Sequence, residues 1–259
     1  MTVKDIAWPD PATIPIGKQG YVTPDGTFSR VTSVLKVLGL STEALVRWSA
    51  GVEREACLAA ASEVYGGMGS SAWMSAAGFA KAVQDKIGPT RQHMRQMQKA
   101  AEIGSEIHAA IHNTLAGKPV IEPSCDQVTW ALMSFDEWWT KSGLKAIRME
   151  QPVWDKDLGY AGTIDIVAEH PANGLGIIDI KSSKGIYDDH HLQVAAYLHA
   201  GNNFAPLEWA QIVRLPKNTE DPKFEVKPLG ALYDRQLTRE QLMQAFTAAL
   251  TAYKILIAK

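Results

Sequence analysis

Residues 159–197 read GYAGTIDIVAEHPANGLGIIDIKSSKGIYDDHHLQVAAY, and the rest of the chain is organised around them. From Gly162, Ile164, Ile166 and Ala168 alternate with Thr163, Asp165, Val167 and Glu169, the period of a β-strand. Pro171-Ala172-Asn173-Gly174 follows as a turn, since Asn and Gly tolerate the positive φ of a tight hairpin. Leu175 to Ile180 is an apolar run interrupted by Asp179 and closed by Lys181, the pattern of a buried central strand. Asp179 and Lys181, two apart, point to the same side of it. A helix is expected from about Asp189 to Ala200, with Gln193 and Tyr197 four apart on one face.

Charges in such strands need partners, because burying them unpaired is costly. If the hairpin pairs its strands, Asp165, Asp179 and Lys181 supply one another. Two carboxylates converging on one sheet edge repel unless a cation sits between them. Oxygen ligands with room for water suit Mg²⁺ or Mn²⁺. A lysine beside that cation orients a water or steadies a phosphate's charge. This is equipment for hydrolysing a phosphodiester.

The ordered set Asp165, then Asp179-Ile180-Lys181, then Gln193-x-x-x-Tyr197 resembles the PD-(D/E)XK nuclease superfamily. Within it, the match is to the RecB-like branch that includes the phage exonucleases. Ile164 stands where the motif usually has a proline. The resemblance implies an α/β fold with a restriction-endonuclease-like core, a mixed central sheet flanked by helices, preceded by a helical region. It implies Mg²⁺ or Mn²⁺ held by Asp165, Asp179, the Ile180 carbonyl and a histidine. Gly104-Ser105-Glu106-Ile107-His108 resembles the G-x-x-x-H of these enzymes, so His108 is the expected ligand, and its imidazole favours Mn²⁺. These enzymes often carry a glutamate on the first core strand near the site. Glu150, on the strand expected from about Ala146 to Trp154, occupies that place and reads equally as a surface carboxylate. Gln193 and Tyr197 are expected to hold the Lys181 strand or to contact DNA backbone. The implied activity is a metal-dependent DNA exonuclease of phage or bacterial recombination or repair. Its substrate would be single-stranded DNA or duplex ends, with a recombinase or single-strand-binding protein as partner by analogy. Other readings stay open: an endonuclease of the same fold, a phosphoesterase for small substrates, or a catalytically inactive DNA-binding or assembly protein.

The remaining chain divides into an N-terminal extension (1–30), a helical region (31–145) and the core (146–259), expected as one compact unit. Tyr21 to Phe28 around Pro24-Asp25-Gly26 reads as a hairpin, and an apolar helix follows from Ser29–Leu35 to Gly39. Ser41 or Thr42 caps a helix to about Tyr65. A second helix is expected from Ala72 to Ile87, and a third from a cap at Thr90 to Ala116. The third has a stripe at Ala101, Gly104, Ser105, His108, Ile111 and Leu115. Arg47, Trp48, Trp73 and Phe79 either stack on single-stranded bases or pack the helices. Ser124 with Gln127 reads as a capping box, opening a core helix with Val128, Leu132, Phe135 and Trp139 on its inner face and Ala131 and Trp138 beside it. Ser182, Ser183 and Lys184 follow the motif as candidate phosphate contacts. His190-His191 has no partner spacing for zinc, and adjacent helical histidines point apart. Two further strands, at about 208–215 and 223–227, precede a capping box at Thr238 and Gln241 that opens the last helix.

Composition narrows the classes. At 259 residues the chain can bury a sizeable core, and its net charge of −2 excludes a globally basic DNA-coating protein. No apolar run approaches the roughly 20 residues of a membrane helix, and MTVKDIAWPDP has no signal-peptide core, so no membrane and a cytoplasmic location are expected. Cys57 and Cys125 match no metal spacing and cannot supply the four-cysteine iron–sulfur cluster of some RecB-like enzymes.

Overall fold

The computed structural model describes residues 6–40, 42–69, 74–216, 218, 223–232 and 234–257. In chain order the elements are β1 (Ile16–Gly17), β2 (Gly20–Thr23), β3 (Gly26–Arg30), α1 (Val31–Leu35), α2 (Thr42–Gly66), α3 (Ala76–Ile87), α4 (Gln92–Leu115) and α5 (Asp126–Ser142). Then come β4 (Lys145–Asp155), β5 (Tyr160–His170), β6 (Gly174–Lys181), α6 (Asp188–Gly201), β7 (Leu207–Arg214), β8 (Glu225–Pro228) and α7 (Arg239–Leu256). They form two compact units, one running up to Gly39 and from Gly104 onward, the other Leu40–Ile103. Among the described residues no helix is long and apolar enough to cross a membrane.

The first unit is mixed α/β. Its sheet runs β1-β2-β3-β5-β6-β7-β8, with β4 also paired along β5. The hairpin read from the sequence is present: β5 and β6 are antiparallel, and Gly174 closes the turn at φ +69°. β6 is flanked on its other side by parallel β7, and β8 closes the edge antiparallel. The N-terminal hairpin β2–β3 joins through two parallel pairs, Ser29↔Tyr160 and Arg30↔Ala161. Two side-chain bonds pin this region: Trp154 Nε1 donates to Asp25 Oδ2 (2.7 Å) and Gln151 Nε2 donates to Pro9 O (2.9 Å).

One core lies between the sheet and helices α1, α6 and α7, with Ile164, Val167, Ile177 and Ile212 of the sheet against Val194, Leu198, Leu242 and Phe246. Ile166 and Ile180 lie outside that set and line a small pocket with Ile111 of α4 instead. The expected alternation in β5 holds at Thr163, Asp165 and Glu169, which are half-buried, and breaks only at Val167, which is fully buried because helices cover both faces. Glycine is required where β5 passes beneath α6. A Cβ on Gly162 would run into the edge of the buried Tyr197 ring at Cε1. Gly162→Ala is therefore expected to destabilise the fold by about 1–3 kcal/mol, the usual cost of overpacking, seen as a lower urea midpoint.

Several helix boundaries and faces differ from expectation. α3 begins at Ala76, capped by Ser75 Oγ accepting from Gly78 N, so Trp73 lies outside the described residues, as does Ser41. α4 begins at Gln92, two residues beyond Thr90, and its buried stripe is Ile103, Ile107, Ala110 and Ile111, while Ala101 and Ser105 are exposed. Ser124 does not cap α5: its N–H and hydroxyl both donate to the Glu106 carboxylate of α4, and Cys125 occupies the cap position. On the inner face of α5, Val128, Ala131, Phe135 and Trp138 are buried together with Ser134, and Leu132 and Trp139 are half-buried at its margin. The capping box at Thr238 and Gln241 is formed.

In the second unit, Glu53 Oε1 accepts from His93 N (3.0 Å) and contacts His93 Nδ1 (2.8 Å). Trp48 is half-buried with its ring edge-on to His93, a packing role, and Arg47 is exposed and paired with Glu43 one turn away.

Candidate active site

β5 and β6 stop pairing at Ile166↔Ile178. Beyond that point the strands fork, and the next amide on β6 finds a side chain instead of a carbonyl. The Ile180 N–H donates to Asp165 Oδ2 at 2.7 Å. Asp165 thus takes a backbone acceptor's place in the sheet while its other oxygen stays free to face α4. There Asp165 Oδ1 lies 3.6 Å from His108 Nδ1. Ile180 also lines the small pocket that holds His108, Glu150 and Asp165. His112, one turn beyond His108, lines the same pocket and contacts Lys118 Nζ at 3.3 Å.

On the other side of the fork, Asp179 and Lys181 share a face of β6, as their spacing predicts. Lys181 Nζ lies 2.8 Å from Asp179 Oδ2, and the Asp179 side chain is only 3 % exposed. α6 supplies the third member. Gln193 Nε2 donates to Asp179 Oδ1 (3.1 Å) and to the Tyr197 hydroxyl (3.1 Å), and Gln193 Oε1 accepts from Lys181 Nζ (3.2 Å). One amide therefore fixes both halves of the ion pair.

Glu150 belongs to the site. The pairs Met149↔Ile166 and Gln151↔Ile164 on either side of it place it opposite Asp165, and its Oε1 lies 3.9 Å from His108 Nδ1. It also has φ +50°, which no sequence pattern signals in a non-glycine residue. Ser182 packs where Gly104 lets α4 approach, with its Oγ 3.1 Å from where a glycine Cβ would stand. The Ser183 hydroxyl donates to Gly185 O (2.7 Å), and Lys184 is exposed.

The charges explain one another. Burial pushes the Asp165 carboxyl up to about 7, helped by Asp179 and Glu150 and opposed by the His108 and Lys181 cations. Burial works against a charged His108, but Asp165, Glu150 and Asp179 together outweigh it and push the imidazole up to about 9. Burial likewise opposes the Lys181 charge, and Asp179 and Asp165 overcome it, so the ammonium is held above its ordinary range. Asp165, Glu150 and Asp179 thus all favour a protonated His108, and burial favours a proton on Asp165. A divalent cation can replace those protons. His108 Nδ1, Glu150 and Asp165 each offer one donor atom within 4.8 Å of the others. One nitrogen and carboxylate oxygens at that separation suit Mn²⁺ or Mg²⁺, so the residues present fit the group that the sequence motif implies.

No family model matches the chain, and no curated protein matches it.

The adjacent histidines of α6 are structural. His191 is buried with Nδ1 accepting from Gly230 N (3.1 Å), and His190 Nδ1 accepts from Tyr187 N (3.2 Å) at the helix start. Burial, then the Lys181 and His191 charges, push His190 down to about 3. Folding therefore excludes a proton that the unfolded chain takes up near pH 6.5. The unfolded state binds more protons between pH 6.5 and about 3, so stability is lost as pH falls through that window. His190→Gln keeps an acceptor at the cap position. Its urea midpoint should fall less than wild type's between pH 7 and pH 5.

Proposed function

We propose that this chain is a divalent-cation-dependent DNA exonuclease with a PD-(D/E)XK core. The observation that carries the reading is the strand fork. The motif's first acid, Asp165, ends one strand's ladder, and its Asp179–Lys181 pair is fixed by Gln193 of the following helix. Residues far apart in sequence thus converge in the order the motif requires. His108 arrives from α4 on the opposite face.

A cation held by His108, Asp165 and a further acid would supply Lewis-acid activation of water and offset charge on the phosphate. Lys181, kept charged by Asp179, offers a donor to the phosphate oxygens as negative charge grows in the transition state. Gln193 holds that ammonium in place without competing for its charge. Asp165, tied to Ile180 through one oxygen, presents the other in a fixed direction. The intact network disfavours a decayed binding protein, for which no buried Lys181–Asp179–Gln193 arrangement would be needed. Action in recombination or repair, beside a recombinase or single-strand-binding protein, belongs to the same proposal.

The test is a cleavage time course with Mg²⁺ or Mn²⁺ on end-labelled linear single- and double-stranded DNA, with a closed circle as control. Loss of linear DNA with the circle intact is expected. Cutting of the circle would replace the exonuclease by an endonuclease, and DNA binding without any cleavage would favour the binding-protein reading.

A further inference from the structure

The loop over residues 182–187 leaves the sheet directly after Lys181 and ends where α6 begins. Its middle is anchored. Gly185 and Ile186 are buried, Ile186 within the main core, and the Ser183 hydroxyl closes the turn before them on Gly185 O (2.7 Å). Lys184 and Tyr187 stand exposed on either side of that plug.

Tyr187 is 46 % exposed and lies outside the core, where Ile186 already fills the space, so packing does not account for its ring. The ring is nevertheless held. It meets the His190 imidazole edge-on, with centroids 5.4 Å apart and 63° between the planes. The Tyr187 N–H donates to Nδ1 of the same imidazole (3.2 Å), and the His190 N–H donates back to Tyr187 O (3.0 Å). Backbone and ring are thus clamped to the first turn of α6, and an edge-on contact covers at most one face of the ring. The Lys181 ammonium is close enough to act on that imidazole, which places the ring within reach of a strand held at that donor. The acids beside the ring are each answered by a cation: Asp188 faces Arg235 at 3.9 Å, and Asp189 adds to the field that keeps Lys181 charged.

A rigid, exposed aromatic face beside a phosphate-binding ammonium fits a nucleobase, because every base has a π-face and stacks whatever its identity. Inside a duplex both faces of a base are taken by its neighbours, so the strand crossing this loop must be unpaired. We propose that Tyr187 is the stacking platform for an unpaired base of the DNA strand whose phosphate meets Lys181. The inference rests on the nuclease reading and deepens it, since it makes a single-stranded segment the form of substrate that the site takes.

Binding of a fluorescent single-stranded oligonucleotide, measured by anisotropy with Ca²⁺ in place of Mg²⁺ or Mn²⁺, tests the contact. Tyr187→Leu keeps bulk against His190 but has no aromatic face. It should weaken binding by about 5- to 100-fold, the range of one base–aromatic stack. Tyr187→Trp should bind like wild type. A ring with only a structural role is separated by removing the base instead of the ring. With a single abasic position walked along the oligonucleotide, one position should cost wild type about what Tyr187→Leu costs, and the same lesion should cost Tyr187→Leu little more. In cleavage, Tyr187→Leu should raise KM and leave kcat nearly unchanged. Wild-type binding by Tyr187→Leu, the same abasic profile in both proteins, or no single-strand binding by the wild type would overturn the inference. Tyr187-dependent binding without any cleavage in Mg²⁺ or Mn²⁺ would sink the nuclease reading alone. Cleavage with the same KM and the same abasic profile in wild type and Tyr187→Leu would sink this inference alone.

Discussion

Lys181→Ala should slow DNA cleavage by at least about 10³-fold, equivalent to about 4 kcal/mol in the barrier. The ammonium is the strongest donor at the fork, and it is held in its charged form by the Asp179 carboxylate 2.8 Å away. Removing a preorganised donor from a site of this kind typically costs about 10²–10³ in rate. Here the loss is compounded, because Gln193 is left with an unpaired Oε1 and Asp179 with a buried, unbalanced charge. That second consequence also weakens the fold, since breaking a buried pair from one side costs about 3–5 kcal/mol. Lys181→Gln separates the two effects. Its amide can still donate to Asp179, so it should melt much closer to wild type while remaining inactive. The rate of release of end label, measured well below the melting temperature of each variant, checks this. Retention of more than a tenth of wild-type cleavage in Lys181→Gln would remove Lys181 from the chemistry.

Asp165→Asn should abolish stabilisation by Mn²⁺ and cleavage together, without weakening the metal-free protein. A ligand that binds only the folded state at 100 times its Kd adds about 2.7 kcal/mol, so wild type should show a clear rise in melting temperature as Mn²⁺ is titrated. Asn keeps a carbonyl oxygen that can accept the Ile180 amide, so the fork itself survives. It also relieves the repulsion from Asp179 and Glu150 that, with burial, raises the Asp165 carboxyl. The metal-free variant should therefore melt at or above wild type, and its curve should not move with Mn²⁺. A variant that still responds to Mn²⁺ like wild type would show that the cation binds elsewhere.

The parts of the fold that follow from local chemistry could be read without the structure. The Asn173-Gly174 turn, the charged residues in an apolar strand, and the four-residue step from Gln193 to Tyr197 fix the hairpin and its helix. Capping at Thr238 worked because both partners lie within one turn. Capping at Ser124 failed because its donors went to Glu106, eighteen residues earlier, and nothing in a four-residue window signals that competition. Val167 is buried because helices cover both faces, a fact of packing and not of periodicity. The stripe on α4 holds at Gly104, His108, Ile111 and Leu115 and breaks at Ala101 and Ser105, because the buried face is centred on Ile103, Ile107 and Ala110 beside it. Glu150 was legible as an acid on the right strand. Its place opposite Asp165 depends on a register that only the paired strands define, and its backbone conformation is one that sequence would announce only with glycine.

At the fork, a carboxylate of the site is also a splice in the sheet, because Asp165 completes a bond that a neighbouring strand would otherwise provide. The amide of Ile180 consequently acts as a gauge wired to the chemistry. Protonating Asp165, placing a cation beside it or removing its charge changes the acceptor of a single N–H, while the pairing of Ile180 with β7 is untouched. The nuclear magnetic resonance shift and the exchange lifetime of that one proton record the electrical state of the site with no substrate bound, from a position inside the strand itself.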